Sequence, residues 1–223
     1  MSAITSTTSP AIPPRSRVEE FLATRDPVRA RLIFALDATA SRQPTWDSAA
    51  VLQEQMFEAA ATAGNLSCQL VYYRGYNGEC RASQWFDNAK ALGDAMNKIT
   101  CMAGHTQIEK VLQHAVREHA RAPIAALILI SDACEENESD LYAAARELPV
   151  PVFLFQEGRS DLVAGIYGRI ADITKGAVAQ FDSGSAAKLA DLLRAVAAFA
   201  TGGIHALTNQ KTEAAKLLLT PMK

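Results

Sequence analysis

Three oxygen-bearing side chains follow a short apolar run near the start of the chain, and their spacing suits a metal ion. Residues 32–36 are entirely apolar, which is long enough for a strand buried on both faces and too short for an ordinary helix. Asp37, Thr39 and Ser41 then occur at every second position. One carboxylate and two hydroxyls on a tight loop are hard oxygen ligands for Mg²⁺ or a similar cation. Because open α/β sheets bind ligands beyond the carboxyl ends of their strands, we predict that this loop is the functional centre.

The same three residues also have an ordinary structural explanation. Asp, Thr and Ser are common in turns and at the starts of helices. The motif alone therefore leaves two hypotheses, a metal site and a simple turn, and other parts of the chain must distinguish them.

The composition indicates a globular chain that binds neither nucleic acid nor a membrane. Of the 223 residues, 49% are apolar, which is enough for one domain with a sizeable core. The formal net charge of -2 and the lack of a basic stripe argue against nucleic-acid binding. No apolar run approaches the roughly 20 residues of a membrane span, and the first residues do not resemble a signal peptide. We therefore expect a soluble, cytoplasmic protein.

The cysteines show no metal-binding pattern. Cys68, Cys80, Cys101 and Cys134 form no Cys-x-x-Cys pair, and no histidine spacing completes a zinc site. We expect reduced thiols that mostly fill the core.

Apolar strands alternate with amphipathic helices along the chain, and these elements must position the site. Strands are predicted at about 31–36, 68–74, 79–86, 124–130, 151–155 and 177–181. A turn signal at 75–78 makes the third strand return antiparallel to the second. The other strands alternate with helices, which predicts a mainly parallel sheet covered on both faces. The predicted fold is therefore a three-layer α-β-α, doubly wound, Rossmann-like architecture with a six-stranded sheet and one antiparallel edge strand.

The two ends of the chain are predicted to lie outside this unit. Residues 1–15 are rich in Ser, Thr and Pro and are predicted to be disordered, with a short helix at about 17–24. Gly202-Gly203 should break the last long helix. We predict a domain at 16–203 and a helical tail at 204–223, whose partial apolar stripe favours packing on the domain over docking of a partner.

Two further polar residues are predicted to meet the first loop. Asp132 follows the most apolar stretch of the chain, and Thr106 opens a helix after a loop. Two central strands of a doubly wound sheet are often adjacent, and the crevice between their carboxyl ends binds ligands. Thr106 also fits a capping box with Glu109, and Asp132 also fits an ordinary turn, so both structural explanations stay open.

This ordered set of residues resembles the metal-ion-dependent adhesion site (MIDAS) of the von Willebrand factor A (vWA) domain. The resemblance covers about 30–200, and the predicted antiparallel third strand also matches the family. The family motif is Asp-x-Ser-x-Ser with a distant Thr and a distant Asp. Its counterparts in this chain are Asp37, Thr39, Ser41, Thr106 and Asp132. Two departures are Thr39 in place of the usual Ser and Ala133 in place of a common Gly.

The resemblance implies a function as well as a fold. It implies that Thr39, Ser41 and in some members Thr106 contact a metal, Mg²⁺ or alternatively Mn²⁺ or Ca²⁺, directly. Asp37 and Asp132 act largely through bound water and orient the hydroxyls. The Asp or Glu of a protein partner then fills an open position on the ion. The function implied is a metal-dependent, adhesion-type binding module and not an enzyme, similar to intracellular vWA proteins of bacteria.

Two other functions are left open by the sequence. Asp37 could act as the nucleophile of a phosphoryl-transfer enzyme similar to haloacid dehalogenase-like phosphatases, although Thr39 stands where their second Asp supplies the general acid. A vWA-like scaffold with an empty metal site is the other alternative. Glycine-rich nucleotide-binding motifs and Gly-x-Ser-x-Gly are absent from the sequence.

Charged residues near the predicted site give two further hypotheses. Arg42, next to Ser41, either steers a partner carboxylate or is simply exposed and solvated. An acidic run after Asp132 is expected to border the same face, either as a solvated loop or as a cluster that concentrates cations. Its members are Glu135, Glu136, Glu138 and Asp140.

Overall fold

Apolar strands build the centre of the protein, a single six-stranded sheet. The computed structural model describes residues 29–61, 65–182 and 185–222. The strands are β1 (Ala30–Asp37), β2 (Leu66–Arg74), β3 (Glu79–Phe86), β4 (Ala126–Ser131), β5 (Val152–Glu157) and β6 (Ala177–Phe181). The predictions for residues 1–15 and 17–24 lie outside the described residues.

The sheet topology is the predicted one. The strand order is β3-β2-β1-β4-β5-β6, and every neighbouring pair is parallel except β2 and β3, which are antiparallel. The two-stranded hairpin therefore places its second strand at the edge. The expected three-layer fold with one antiparallel edge strand is confirmed.

Helices cover both faces of this sheet. In chain order they are α1 (Gln43–Ala61), α2 (Ala89–Met96), α3 (Ile108–Arg121), α4 (Glu138–Glu147), α5 (Asp161–Thr174), α6 (Ala186–Asn209) and α7 (Glu213–Leu219). One face packs against α1, α2, α6 and α7, and the other packs against α3, α4 and α5. The central strand β1 serves both cores, because Phe34 points to the first and Ile33 to the second, each with no exposed surface. This double burial is why the central strands are continuous apolar runs.

None of the helices within the described ranges combines the length and the apolarity needed to cross a lipid bilayer. All four cysteines are free thiols, and Cys68 is fully buried in the first core.

The C-terminal segment packs on the rest of the protein, as predicted. The predicted break appears as a kink in α6 at Gly203, whose φ of 65° and ψ of -162° are not helical. Beyond the kink, Leu207 and Leu218 are fully buried in the core that also contains α1 and α6. The division into a domain at 16–203 and a tail at 204–223 stays a prediction.

Two adjacent leucines of α7 give a matched test of this packing. Leu218 is fully buried, whereas 42% of Leu217 is exposed. We expect Leu218→Ala to lower the free energy of unfolding by about 2–5 kcal/mol, because it leaves a cavity in the core. Leu217→Ala should lower it by less than about 1 kcal/mol. Urea denaturation of both variants measures this, and equal losses would contradict the burial of Leu218.

Candidate metal centre

The candidate site lies at the point where the strand order of the sheet changes direction. From β1 the chain moves to β2 on one side, while β4 pairs with β1 on the other side. Asp37 is the last residue of β1, and Asp132 directly follows β4. A crevice forms at such a switch point beyond the carboxyl ends of the strands, and this is where ligands of doubly wound sheets bind.

All five predicted ligand residues line one pocket in this crevice. The pocket has a volume of about 290 Å³ and is bordered also by Tyr76, Gly104 and Glu135. Ser41 is exposed at its mouth, while Asp37 and Thr106 are only 4% and 3% exposed. The structure therefore brings the three loops together, and metal binding by these residues stays a prediction.

Asp37 is held by two hydrogen bonds, one from its own loop and one from β4. Its Oδ1 accepts from the backbone amide of Thr39 at 2.8 Å, and its Oδ2 accepts from Oγ of Ser131 at 2.9 Å. The first bond is an Asx turn, which starts the short 3-10 turn Ala40–Arg42. The turn explanation is thus correct for Asp37, and it is compatible with a ligand role because the same turn presents Ser41 to the pocket.

Burial dominates the electrostatics of Asp37. It raises the pKa of the carboxyl above its ordinary value of 3.8, although the hydrogen bonds from Thr39 and Ser131 act in the opposite direction. The neighbouring carboxylate of Asp132 raises this pKa further.

Ser131 is a site residue that the sequence analysis missed. It is fully buried as the last residue of β4, and its hydroxyl both donates to Asp37 and accepts from the amide of Ala133 at 3.4 Å. A polar residue at the end of the most apolar strand, next to Asp132, was the signal available. Its partner is 94 positions away in sequence, so no local pattern identifies the contact.

Two buried tyrosines lie near this contact. Tyr73 pairs with Asp37 across β1 and β2, and the Tyr167 hydroxyl donates to the carbonyl of Ala133 at 3.0 Å. Burial raises the pKa of both phenols, and the charge of Asp37 raises them further, so both are neutral. The Tyr73 hydroxyl has no hydrogen-bond partner among the described residues.

Thr106 is positioned by the acidic loop and does not cap a helix. Its Oγ1 accepts from the amide of Glu135 at 3.1 Å, and its own amide donates to the Glu135 carboxylate at 3.1 Å. The capping-box hypothesis is wrong, because α3 begins at Ile108 without a side-chain cap from its preceding residue. The carboxylate of Glu136 accepts instead from the amides of Ile108 and Glu109, at 2.7 and 2.8 Å. A charged acceptor satisfies helix-start amides well, so it replaces the hydroxyl.

The acidic run therefore divides into structural and pocket-facing residues. Glu135 borders the pocket as expected and also contacts the His105 ring at 3.0 Å. Glu136 holds α3, and Glu138 accepts from the Tyr142 hydroxyl at 2.8 Å. The acidic run is therefore neither entirely a solvated loop nor entirely a cluster that concentrates cations.

Arg42 is largely shielded and already paired, so the expectation that it is simply exposed and solvated is wrong, while steering of a partner carboxylate stays a prediction. Only 14% of its side chain is exposed. Its Nη2 lies 3.1 Å from Oδ2 of Asp132, its Nη1 lies 2.6 Å from Oε2 of Glu157, and its Nε donates to Oγ of Ser41 at 3.3 Å. The Thr45 hydroxyl also donates to Glu157. Arg42 thus joins two candidate ligands to the end of β5.

The donor set of the pocket fits a hard divalent cation. Within the described ranges, no group of three or more His, Cys, Asp or Glu side chains could hold a metal, so a metal here depends on hydroxyl oxygens. A hydroxyl has two lone pairs, and Oγ1 of Thr106 uses one of them for the Glu135 amide. Hydroxyl and carboxylate oxygens are ligands that Mg²⁺ and Ca²⁺ accept.

The raised pKa of Asp37 predicts that removing its charge stabilises the metal-free protein. A carboxyl whose pKa is higher in the folded state than in the unfolded chain destabilises the fold once it is ionised, and this cost disappears at pH below the unfolded value. We expect Asp37→Asn to raise the melting temperature in EDTA at pH 7, with the gain shrinking as the pH falls towards 3.8. Thermal melts across this range measure the effect.

Glu54→Gln is the matched control, because Glu54 is an exposed carboxylate in the middle of α1. Its variant should show no such gain at pH 7. A lower melting temperature for Asp37→Asn at pH 7 would contradict the electrostatic argument.

Comparison with known proteins shows which fold this chain has, through similar structures of low sequence identity. No protein-family model matches the chain, and no curated protein sequence matches it. A von Willebrand factor type A structure from Catenulispora acidiphila is 20% identical with a TM-score of 0.62, and it covers 78% of this chain and 43% of its own. The SpRpn10 VWA domain is 11% identical with a TM-score of 0.57, covering 74% and 95%.

A third similar structure contains a metal. Proximal thread matrix protein 1 from the mussel byssus, with a zinc-occupied MIDAS motif, is 14% identical with a TM-score of 0.53, and covers 77% of this chain and 46% of its own. This chain thus spans less than half of two of the three structures and nearly all of the SpRpn10 domain. The described residues have the fold of a von Willebrand factor A domain.

Proposed function

We propose that the protein is a metal-dependent protein-binding module, in which a divalent cation at the candidate site binds an Asp or Glu of a partner. The observation that carries this proposal is that three separate loops bring the five residues to one pocket at the switch point of the sheet. A solved structure of the same fold with zinc in its MIDAS motif supports the use of a metal at such a site.

The proposed division of roles follows from the donors. Thr39, Ser41 and Thr106 would contact the ion through their hydroxyls, while Asp37 and Asp132 would orient these groups and hold bound water. When bound, the metal would supply an electrophilic centre that attracts a carboxylate. Mg²⁺ prefers about six oxygen ligands and retains water readily, so three hydroxyls leave positions that a partner can fill. Mg²⁺ is the proposed ion, with Mn²⁺ and Ca²⁺ as alternatives.

The shape and charge of the pocket support a binding role for an acidic partner group. Ser41 is exposed, and Tyr76, with 69% of its surface exposed, borders the same opening. Hydroxyl ligands bring no negative charge, so the ion stays under-neutralised and favours an additional carboxylate. We further propose a cytoplasmic location.

Metal binding is tested by isothermal titration of the protein with Mg²⁺, Mn²⁺, Ca²⁺ and Zn²⁺. We expect Asp37→Ala to weaken binding by about 10- to 100-fold, because residues that orient metal ligands have effects of this size. Asp47→Ala is the control, since Asp47 is an exposed carboxylate near the start of α1. If the unmodified protein binds none of these ions, the alternative of a vWA-like scaffold with an empty metal site is favoured.

Carboxylate binding is tested separately with the Mn²⁺-loaded protein and N-acetyl-aspartate amide as the probe. We expect broadening of the probe's proton resonances by the paramagnetic ion, and its loss in EDTA and in Asp37→Ala. Asparagine in place of aspartate in the probe is the control. Metal binding without probe binding would contradict the adhesion mechanism, and turnover of p-nitrophenyl phosphate with Mg²⁺ would favour the phosphoryl-transfer alternative.

A further inference from the structure

Arg42 places a permanent positive charge among the residues of the candidate metal site. Its guanidinium contacts Ser41 and Asp132, which are two of the five candidate ligands, and it also contacts Glu157. Because the side chain is only 14% exposed, these contacts are screened less by solvent than a surface ion pair.

The carboxylates around Arg42 outnumber it. Arg42, Asp132, Glu157 and Asp182 line a small cavity of about 270 Å³ next to the site. Glu157 is 7% exposed, and its charge is balanced by Arg42 together with the Thr45 hydroxyl. Without the guanidinium, this cavity beside the metal pocket would be lined by three carboxylates and, within the described part of the chain, by no basic side chain.

We propose that Arg42 is a built-in cation that shares Asp132 with the metal, holds the loop after β1 when no metal is bound, and weakens metal binding. The inference rests on the proposed function and adds a regulatory residue to the same site. A guanidinium fork has five N–H groups, which lets one side chain hold Ser41, Asp132 and Glu157 together. The site is therefore partly neutralised before any metal arrives.

The charge of Arg42 acts in opposite directions on the two ligands. It repels a divalent cation and competes with that cation for Asp132, so it lowers metal affinity. It attracts a partner carboxylate and keeps the loaded site electropositive, so it raises carboxylate affinity. A residue that only supported the shape of the loop would change both affinities in the same direction.

Arg42→Gln tests the inference through these opposite signs. In isothermal titration with Mn²⁺, we expect the variant to bind the metal roughly three- to tenfold more tightly, the order expected for one unit charge near a dication. With acetate as the probe on the Mn²⁺-loaded protein, we expect binding to weaken by a similar factor. In EDTA, the variant should melt at a lower temperature, because Glu157 loses its ion pair.

Two variants control for charge and for stability. Arg42→Lys keeps the charge but loses the fork, so its metal affinity should stay within about twofold of that of the unmodified protein. Arg31→Gln removes a comparably shielded ion pair at the opposite end of β1, where Arg31 lies 3.0 Å from Glu118 and the side chains are 19% and 6% exposed. It should lower the melting temperature and leave metal affinity unchanged.

Glu157→Gln gives an independent measurement in case Arg42→Gln does not fold. This change removes the carboxylate that Nη1 of Arg42 contacts. The guanidinium charge then acts more strongly on Asp132, so metal affinity should fall. The inference is overturned if Arg42→Gln binds Mn²⁺ equally or more weakly, or if Glu157→Gln binds it more tightly. If the unmodified protein still binds Mn²⁺ and acetate, those results leave the proposed function intact. If neither the unmodified protein nor any variant binds the metal, both this inference and the proposed function are overturned.

Discussion

The buried carboxylate of Asp37 is the constraint on which the site depends. A carboxylate that is 4% exposed must be hydrogen-bonded, and the donors to Asp37 include the amide of Thr39 and the hydroxyl of Ser131. The first donor fixes the turn that presents Ser41. The second fixes the end of β4 beside the end of β1, so Asp132 must leave the sheet next to the same pocket. One side chain therefore sets the positions of two of the three loops.

Other acidic residues organise the rest of the site, and backbone amides neutralise much of their charge. Glu136 accepts from the amides of Ile108 and Glu109 and fixes where α3 begins. Glu135 exchanges two hydrogen bonds with Thr106 and so aligns its hydroxyl. An acidic run that looks like surplus surface charge in the sequence is therefore largely part of the scaffold. Such carboxylates gain stability from the partial positive charge of helix-start amides.

The sequence predicts the parts of the fold that depend on local patterns. β3 and β6 have the predicted bounds, because a turn signal precedes the first and a short apolar run marks the second. The five candidate ligands reach one pocket because strand ends that carry polar residues converge in a doubly wound sheet. Contacts between distant residues leave no local pattern. Ser131 with Asp37 and Arg42 with Glu157 follow only from strand register and loop geometry.

Thr106 shows why a local rule can fail at such a site. A capping box needs the hydroxyl to face the helix start, but the backbone amide of Glu135 binds that hydroxyl from another loop. The competing carboxylate of Glu136 lies 28 positions from Ile108 in sequence and carries a full charge, so it satisfies the helix-start amides better than a neutral hydroxyl. Thr106 does line the pocket, but it is held there by the amide of Glu135, a contact that no local sequence pattern indicates.

Backbone contacts join the loop after β1, the end of β2 and the loop before α3 independently of any metal. The amide of Ala38 donates to the carbonyl of Tyr73, and the carbonyl of Ala38 accepts from the amide of Met102, both at 2.9 Å. A side chain at Gly104 would come within 2.2 Å of the Gly75 backbone, so only glycine allows this approach. The hydroxyls of the pocket are thus held on a framework of amide hydrogen bonds. Because amides also bind the carboxylates of Glu135 and Glu136, a cation bound here as proposed would remain under-neutralised and open to a carboxylate from outside.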